Sequence, residues 1–155
     1  MAGRIDARLA ELGISLPAPA APVANYVPYV IAGDLVFVSG QLPMLEGRVG
    51  WTGQVGAQVG LDAAAHACRQ SFVNVLAHVR TACGGDLDRV VQVVRLGGFI
   101  AAPPGFAQHA VPMNGASNLA VDVFGAAGRH ARTTVGVASL PLDAAVEVEG
   151  LFRIA

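Results

Sequence analysis

Near its C-terminus the chain carries two runs, Ala131-Arg132-Thr133-Thr134-Val135-Gly136-Val137 and Ala145-Val146-Glu147-Val148-Glu149-Gly150, in which apolar and polar residues alternate. A period of two sends successive side chains to opposite faces of a strand. Leu140-Pro141-Leu142-Asp143 between the runs reads as a turn. The chain is thereby committed to a sheet with distinct faces. Arg132 opens the first strand, and Glu147 and Glu149 share one face of the second. A guanidinium offers a rigid donor fork for a carboxylate, and a glutamate can position or deprotonate a water. The residues alone therefore point to a small anionic ligand.

Upstream, Ile5, Leu9 and Leu12 space a short amphipathic helix that Gly13 ends, and Pro17 to Pro22 reads as an extended proline/alanine strap. Residues 29–32 and 35–40 read as strands joined by Gly33-Asp34. Val49 to Val55 reads as a short strand or loop carrying Trp51. The longest helix is predicted from about Leu61 to Cys83. Its stripe is Leu61, Ala65, Cys68, Phe72, Val75, Val79 and Ala82, and Gly84-Gly85 stops it. Arg89 to Ile100 reads as a strand, Ala101 to Pro112 as a loop, and Gly115 to Ala127 as a second helix. Asn114 is then a natural N-cap. The order β-β-α-β-α-β-β makes an α+β domain: a mixed sheet of four to six strands with two helices on one face. One domain over 1–155 is expected, with 1–25 as helix and strap and 26–155 as core.

That sheet leaves an apolar face to cover. With 54% apolar and only 14% charged residues, the chain favours a homo-oligomer. A net charge of −1 and the absence of lysine provide no electrostatic footprint for nucleic acid and exclude a Schiff-base lysine. Cys68 and Cys83 have neither redox-motif nor metal spacing. His66, His78 and His109 show no ligand pattern, so no metal is expected. No nucleotide signature is present, and prolines break both long uncharged stretches, so neither reads as a membrane helix. With no apolar signal core at residues 1–6, a cytoplasmic location is expected.

Three segments, in order, resemble the RidA/YjgF/UK114 family. They are Gly33-Asp34-Leu35-Val36-Phe37-Val38-Ser39-Gly40-Gln41-Leu42-Pro43, Cys83 to Val93, and Ala131-Arg132-Thr133-Thr134-Val135 with Leu140-Pro141 and Val146-Glu147-Val148-Glu149. The resemblance implies a chorismate-mutase-like fold of the bacillary type and a homotrimer with clefts between subunits. It also implies enamine/imine deaminase activity, the hydrolysis of a 2-imino acid to a 2-keto acid and ammonia, with no cofactor. Arg132 would grip the substrate carboxylate and Glu147 would help to position the water. Tyr26 or Tyr29 would close over the ligand, with Ser39, Gly40, Asn114, Asn118 and Thr134 around it. Thr134 stands where many members have cysteine, and His130 where many have proline. His130 reads as a surface or interface histidine, Ser39 serves either ligand or turn, and Arg129 reads as structural. Two other classes remain on the table. One is a trimeric module that binds keto or imino acids without turnover. The other is an endoribonuclease, disfavoured by charge and by the lack of an aromatic stacking pattern. A chorismate-mutase-type isomerase would want several cations, and Arg132 is the only persuasive one.

Overall fold

The computed structural model describes residues 3–19 and 25–155. Residues 20–24, and with them the end of the expected strap, lie outside the described part. A five-stranded mixed sheet has the order β1-β2-β7-β5-β6. β1 (Tyr29–Ala32) and β2 (Leu35–Gln41) form a hairpin whose turn residue Gly33 sits at φ 63°, a left-handed conformation that suits glycine. β7 (Val146–Ile154) lies antiparallel between β2 and β5 (Val90–Ala101). β6 (Ala131–Val137) runs parallel to β5 at the edge, which requires a crossover. That crossover is α3 (Ala110–Phe124), packed beside α2 (Leu61–Ala82) on one face of the sheet. This is the α+β arrangement that the order of elements implies, and the chorismate-mutase-like fold that the family resemblance implies.

The face assignment follows from burial. In β7, Val146, Val148, Gly150, Phe152 and Ile154 are buried beneath the helices, while Glu147, Glu149, Leu151 and Arg153 point the other way and stay partly or fully accessible. Phe72 of α2 stacks on Phe152 at 6.4 Å. Carried across the ladders, the same alternation puts Arg132, Thr134 and Gly136 on the helix side, paired with Leu96, Gly98 and Ile100. Phe37, Leu151, Phe99 and Val135 occupy the opposite, open face.

Two departures from the sequence reading have clear causes. α3 begins at Ala110, five residues before the predicted start, because Pro112 falls in its first turn, where the missing N–H would have no helical partner. Asn114 therefore lies inside the helix and caps nothing. In α2 every residue from Ser71 to Val79 is buried, far more than one stripe. Its outer side is covered by a small hairpin, β3 (Met44–Leu45) and β4 (Arg48–Val49), which lies almost wholly ahead of the 49–55 stretch read as a short strand or loop. Asn74 fastens it, its Nδ2 donating to the carbonyls of Leu42 at 3.0 Å and Met44 at 3.1 Å.

α1 (Arg4–Glu11) docks through Ile5 and Leu9. Asp88 supplies its cap from the far side of the chain, accepting from the backbone N–H of Arg4 at 2.8 Å and of Ile5 at 2.7 Å. These amides would otherwise lack partners.

Candidate functional site

Arg132 leaves the start of β6 toward α3. Its Nη1 donates to Asn114 Oδ1 at 2.8 Å and to Ser117 Oγ at 3.2 Å. Both acceptors are neutral, and among the described residues no carboxylate pairs with this guanidinium. Nη1 spends its two hydrogens on α3, so the edge formed by Nη2 and Nε is the one presented to a ligand. Two residues along, Thr134 Oγ1 is buried with no partner among the described residues. Beneath lies Cys68 of α2. Burial pushes its thiol up to about 12 against the opposing pull of Arg132, so it is a neutral, inert packing group. His130, just ahead of β6, reaches the same serine: its Nε2 lies 2.9 Å from Ser117 Oγ, and its Nδ1 lies 2.6 Å from the Gly128 carbonyl.

Glu147 stands on the open face. Burial, reinforced by the neighbouring charge of Glu149, raises its carboxyl above the ordinary 4.5. Glu149 is occupied by Arg95 at 3.3 Å. The register of β2 against β7 shifts between Val38 and Gln41, and this bulge brings Gly40 against Glu147. A Cβ at residue 40 would collide with the Glu147 carboxylate. Ser39 Oγ donates to the Val27 carbonyl at 3.0 Å, so its hydroxyl holds the segment before β1. Tyr26, one residue earlier, is 60% exposed, whereas Tyr29 packs against the core on the helix side of β1.

The residues named from sequence thus fall into two sets. Arg132, Asn114 and Thr134 meet on the helix side of the edge strand. Glu147, Gly40, Ser39 and the Tyr26 segment gather on the open face. Asn118, on the exposed side of α3, makes no side-chain hydrogen bond among the described residues. Within one chain the arginine and the glutamate are on opposite faces of the sheet. Two of the larger surface hollows, of 490 and 600 Å³, lie around Arg69 and Arg80 and contain neither residue. Ser117 escaped the sequence reading. Its signal is the i, i+3 spacing from Asn114, which becomes visible once α3 is started at Ala110. Among the described residues no group of His, Cys, Asp and Glu side chains is arranged to hold a metal.

Fold and edge-strand arginine together define a chorismate-mutase-like α+β protein whose edge strand carries a guanidinium that no carboxylate pairs among the described residues. A family model described as "YjgF/chorismate_mutase-like, putative endoribonuclease" matches residues 6–153. Protein TCP17 of Trypanosoma cruzi is 46% identical over 153 residues, which cover 98% of this chain and 95% of that one. The crystal structure of protein Atu1372 from Agrobacterium tumefaciens superposes with a TM-score of 0.91 at 47% identity, over 97% of this chain and 93% of that one. A crystal structure from Shewanella oneidensis MR-1 gives 0.93 at 34% identity, over 98% and 100%. The chain belongs to the YjgF/chorismate-mutase-like family.

Proposed function

We propose that the protein is an imine deaminase that hydrolyses 2-imino acids to 2-keto acids and ammonia at clefts shared by two copies of the chain. One observation carries this reading: an exposed arginine held by neutral acceptors, with its Nη2/Nε edge unspent. Such an edge binds a carboxylate through two charge-assisted hydrogen bonds. Glu147, on the opposite face, is supplied to that cleft by a second subunit of a homotrimer. A carboxyl that ionises reluctantly is a better proton acceptor, once ionised, than an ordinary carboxylate.

In the reaction, the Arg132 fork fixes the α-carboxylate and so orients the C=N carbon. Water adds to that carbon, giving up a proton to Glu147. Glu147 passes that proton to the imine nitrogen, leaving a hydroxyl and an amino group on one tetrahedral carbon. The hydroxyl proton then travels by way of Glu147 to the amino nitrogen, the C–N bond breaks, and ammonia leaves as the carbonyl forms. Orientation together with acid–base help of about 10²–10⁴-fold suffices for an imine that already hydrolyses in water. Thr134 keeps a buried hydroxyl beside the clamp with no partner among the described residues, and no thiol is needed at that position. Ser39, Gly40, Tyr26, Asn114 and Asn118 line or shape the cleft in this reading.

The test generates imino acids in situ with an amino-acid oxidase and traps survivors with semicarbazide. Wild type should suppress semicarbazone formation and Arg132→Ala should not. Arg132→Ala and Glu147→Gln, each inactive alone, should regain about a quarter of wild-type activity when mixed equally and reassembled, because each cleft draws on two chains. No suppression by folded wild type with any amino acid would sink the deaminase in favour of a keto-acid-binding module. Failure to complement would sink the shared cleft.

A further inference from the structure

Beside Arg132 there is a second layer of polar groups for which the proposed reaction has no use. His130 Nδ1 faces the Gly128 carbonyl at 2.6 Å, and a carbonyl only accepts, so Nδ1 carries the proton. In the neutral ring Nε2 is then an acceptor. Its partner at 2.9 Å is Ser117 Oγ, which therefore donates toward the ring and turns a lone pair to Arg132 Nη1 at 3.2 Å. The chain of bonds has one direction: arginine to serine, serine to histidine, histidine to backbone. Each donor has one acceptor, and the free edge of Arg132 is fixed as a result.

We propose that His130 is a positioning residue for Arg132, acting through Ser117, and that it makes carboxylate capture proton-linked. This rests on the reading of Arg132 as the carboxylate clamp. Imidazole is the side chain that changes charge between about pH 5 and 8. A second proton on His130 would set a cation one hydroxyl away from the guanidinium, like charge beside like charge. An anion on Arg132 offsets that repulsion and favours the charged ring. Ligand binding then draws in a proton, and lowering the pH tightens binding.

Within its own chain the other groups around His130 do not supply this link, and the neighbouring subunit's Glu147, which the proposed cleft also brings to the ligand, is left in place by His130→Gln. Arg129 and Arg132 on its own segment stay charged throughout. Arg95, which faces Ala131 on β5, is taken up by Glu149 on the open face. Gln92 of β5 donates to the Arg129 and Ala127 carbonyls and does not titrate. Cys68 of α2 is held as the neutral thiol, and Asp122 of α3 lies more than a turn beyond Ser117 and is exposed. Asn114 and Ser117, the α3 groups in contact with Arg132, are neutral. Sequence reading placed His130 merely at a surface or an interface. Its spacing from Arg132 was visible, but the serine between them was not.

The test measures binding of 2-oxobutanoate to the full-length protein by calorimetry in buffers of different ionisation enthalpy. For wild type the dissociation constant should fall about tenfold from about pH 8 to about pH 6, with net proton uptake. His130→Gln keeps an acceptor for Ser117 but cannot titrate, so it should weaken binding modestly and lose the pH slope. His130→Phe should weaken binding at every pH. Nitrogen-15 spectra of the unliganded protein should report the proton of neutral His130 on Nδ1. A wild-type slope retained in His130→Gln, a flat wild-type slope, or the proton on Nε2 would each overturn the proposal. If wild type binds no keto acid at all, the clamp reading itself has failed; an Arg132-dependent affinity with no proton linkage refutes only the role of His130.

Discussion

At the scale of single residues, Arg132 and Glu147 make opposite demands on their surroundings. Arg132 needs a fork of fixed geometry, so Arg132→Lys, which keeps the charge but not the paired donors, should lower kcat/KM by about a hundredfold. Progress curves of imine loss measure it. Glu147 is harder to ionise in the fold than in the unfolded chain, by burial first and Glu149 second. Protonated Glu147 is thus the form the fold accepts. Its contribution is fully present below the ordinary carboxyl value and is lost as pH rises through the raised one. Glu147→Gln should therefore raise Tm at neutral pH, with a gain that vanishes in acid. Thermal melts across pH check this, and a gain that grew toward acid would contradict the assignment. Arg132 and Glu147 were legible in sequence because alternation and motif both mark them. The bonds that Arg132 donates to Asn114 and Ser117 were not, since they join residues 18 and 15 positions apart across a crossover whose helix start was misplaced.

At the scale of elements, α2 and α3 approach so closely that a Cβ on Gly115 would run into the Ala65 carbonyl. That obstacle is backbone and cannot swing away. Gly115→Ala should cost about 1–3 kcal/mol, read as a lowered denaturation midpoint. α1 depends on one carboxylate. Hydrogen bonds from the backbone N–H of Ile5 and Arg4 hold the Asp88 carboxyl below its ordinary 3.8. A depressed carboxyl contributes stability above its unfolded value and loses it as pH falls through the folded one. Protection of the Ile5 and Leu9 amides against exchange, taken relative to their intrinsic rates, should fall in acid, and Asp88→Ala should show the same loss of protection at neutral pH. The strands and α2 were readable because their periodicity is long and ends in glycines with positive φ, such as Gly84 at 68°. The start of α3 was hidden by a proline that is harmless at its position. The β3–β4 hairpin was hidden because two-residue strands carry no period.

At the scale of the whole molecule, the open sheet face leaves Val30 52%, Phe37 46% and Val135 43% exposed. Apolar side chains grouped on one face mark a surface for association. Phe37→Glu should yield a folded monomer with native circular dichroism and no imine hydrolysis, as light scattering and the trapping assay would show. That such a face needs cover could be read from composition. How many copies would cover it could not, because subunit number depends on shape rather than on pattern.

The placement of the arginine and the glutamate on opposite sides of one sheet makes an isolated polypeptide catalytically silent under the proposed reading. Under that reading a newly made chain does nothing until it finds others. Catalytic output should then fall more steeply than protein concentration on dilution, and an inactive copy in a mixed assembly should disable clefts that its neighbours help to form.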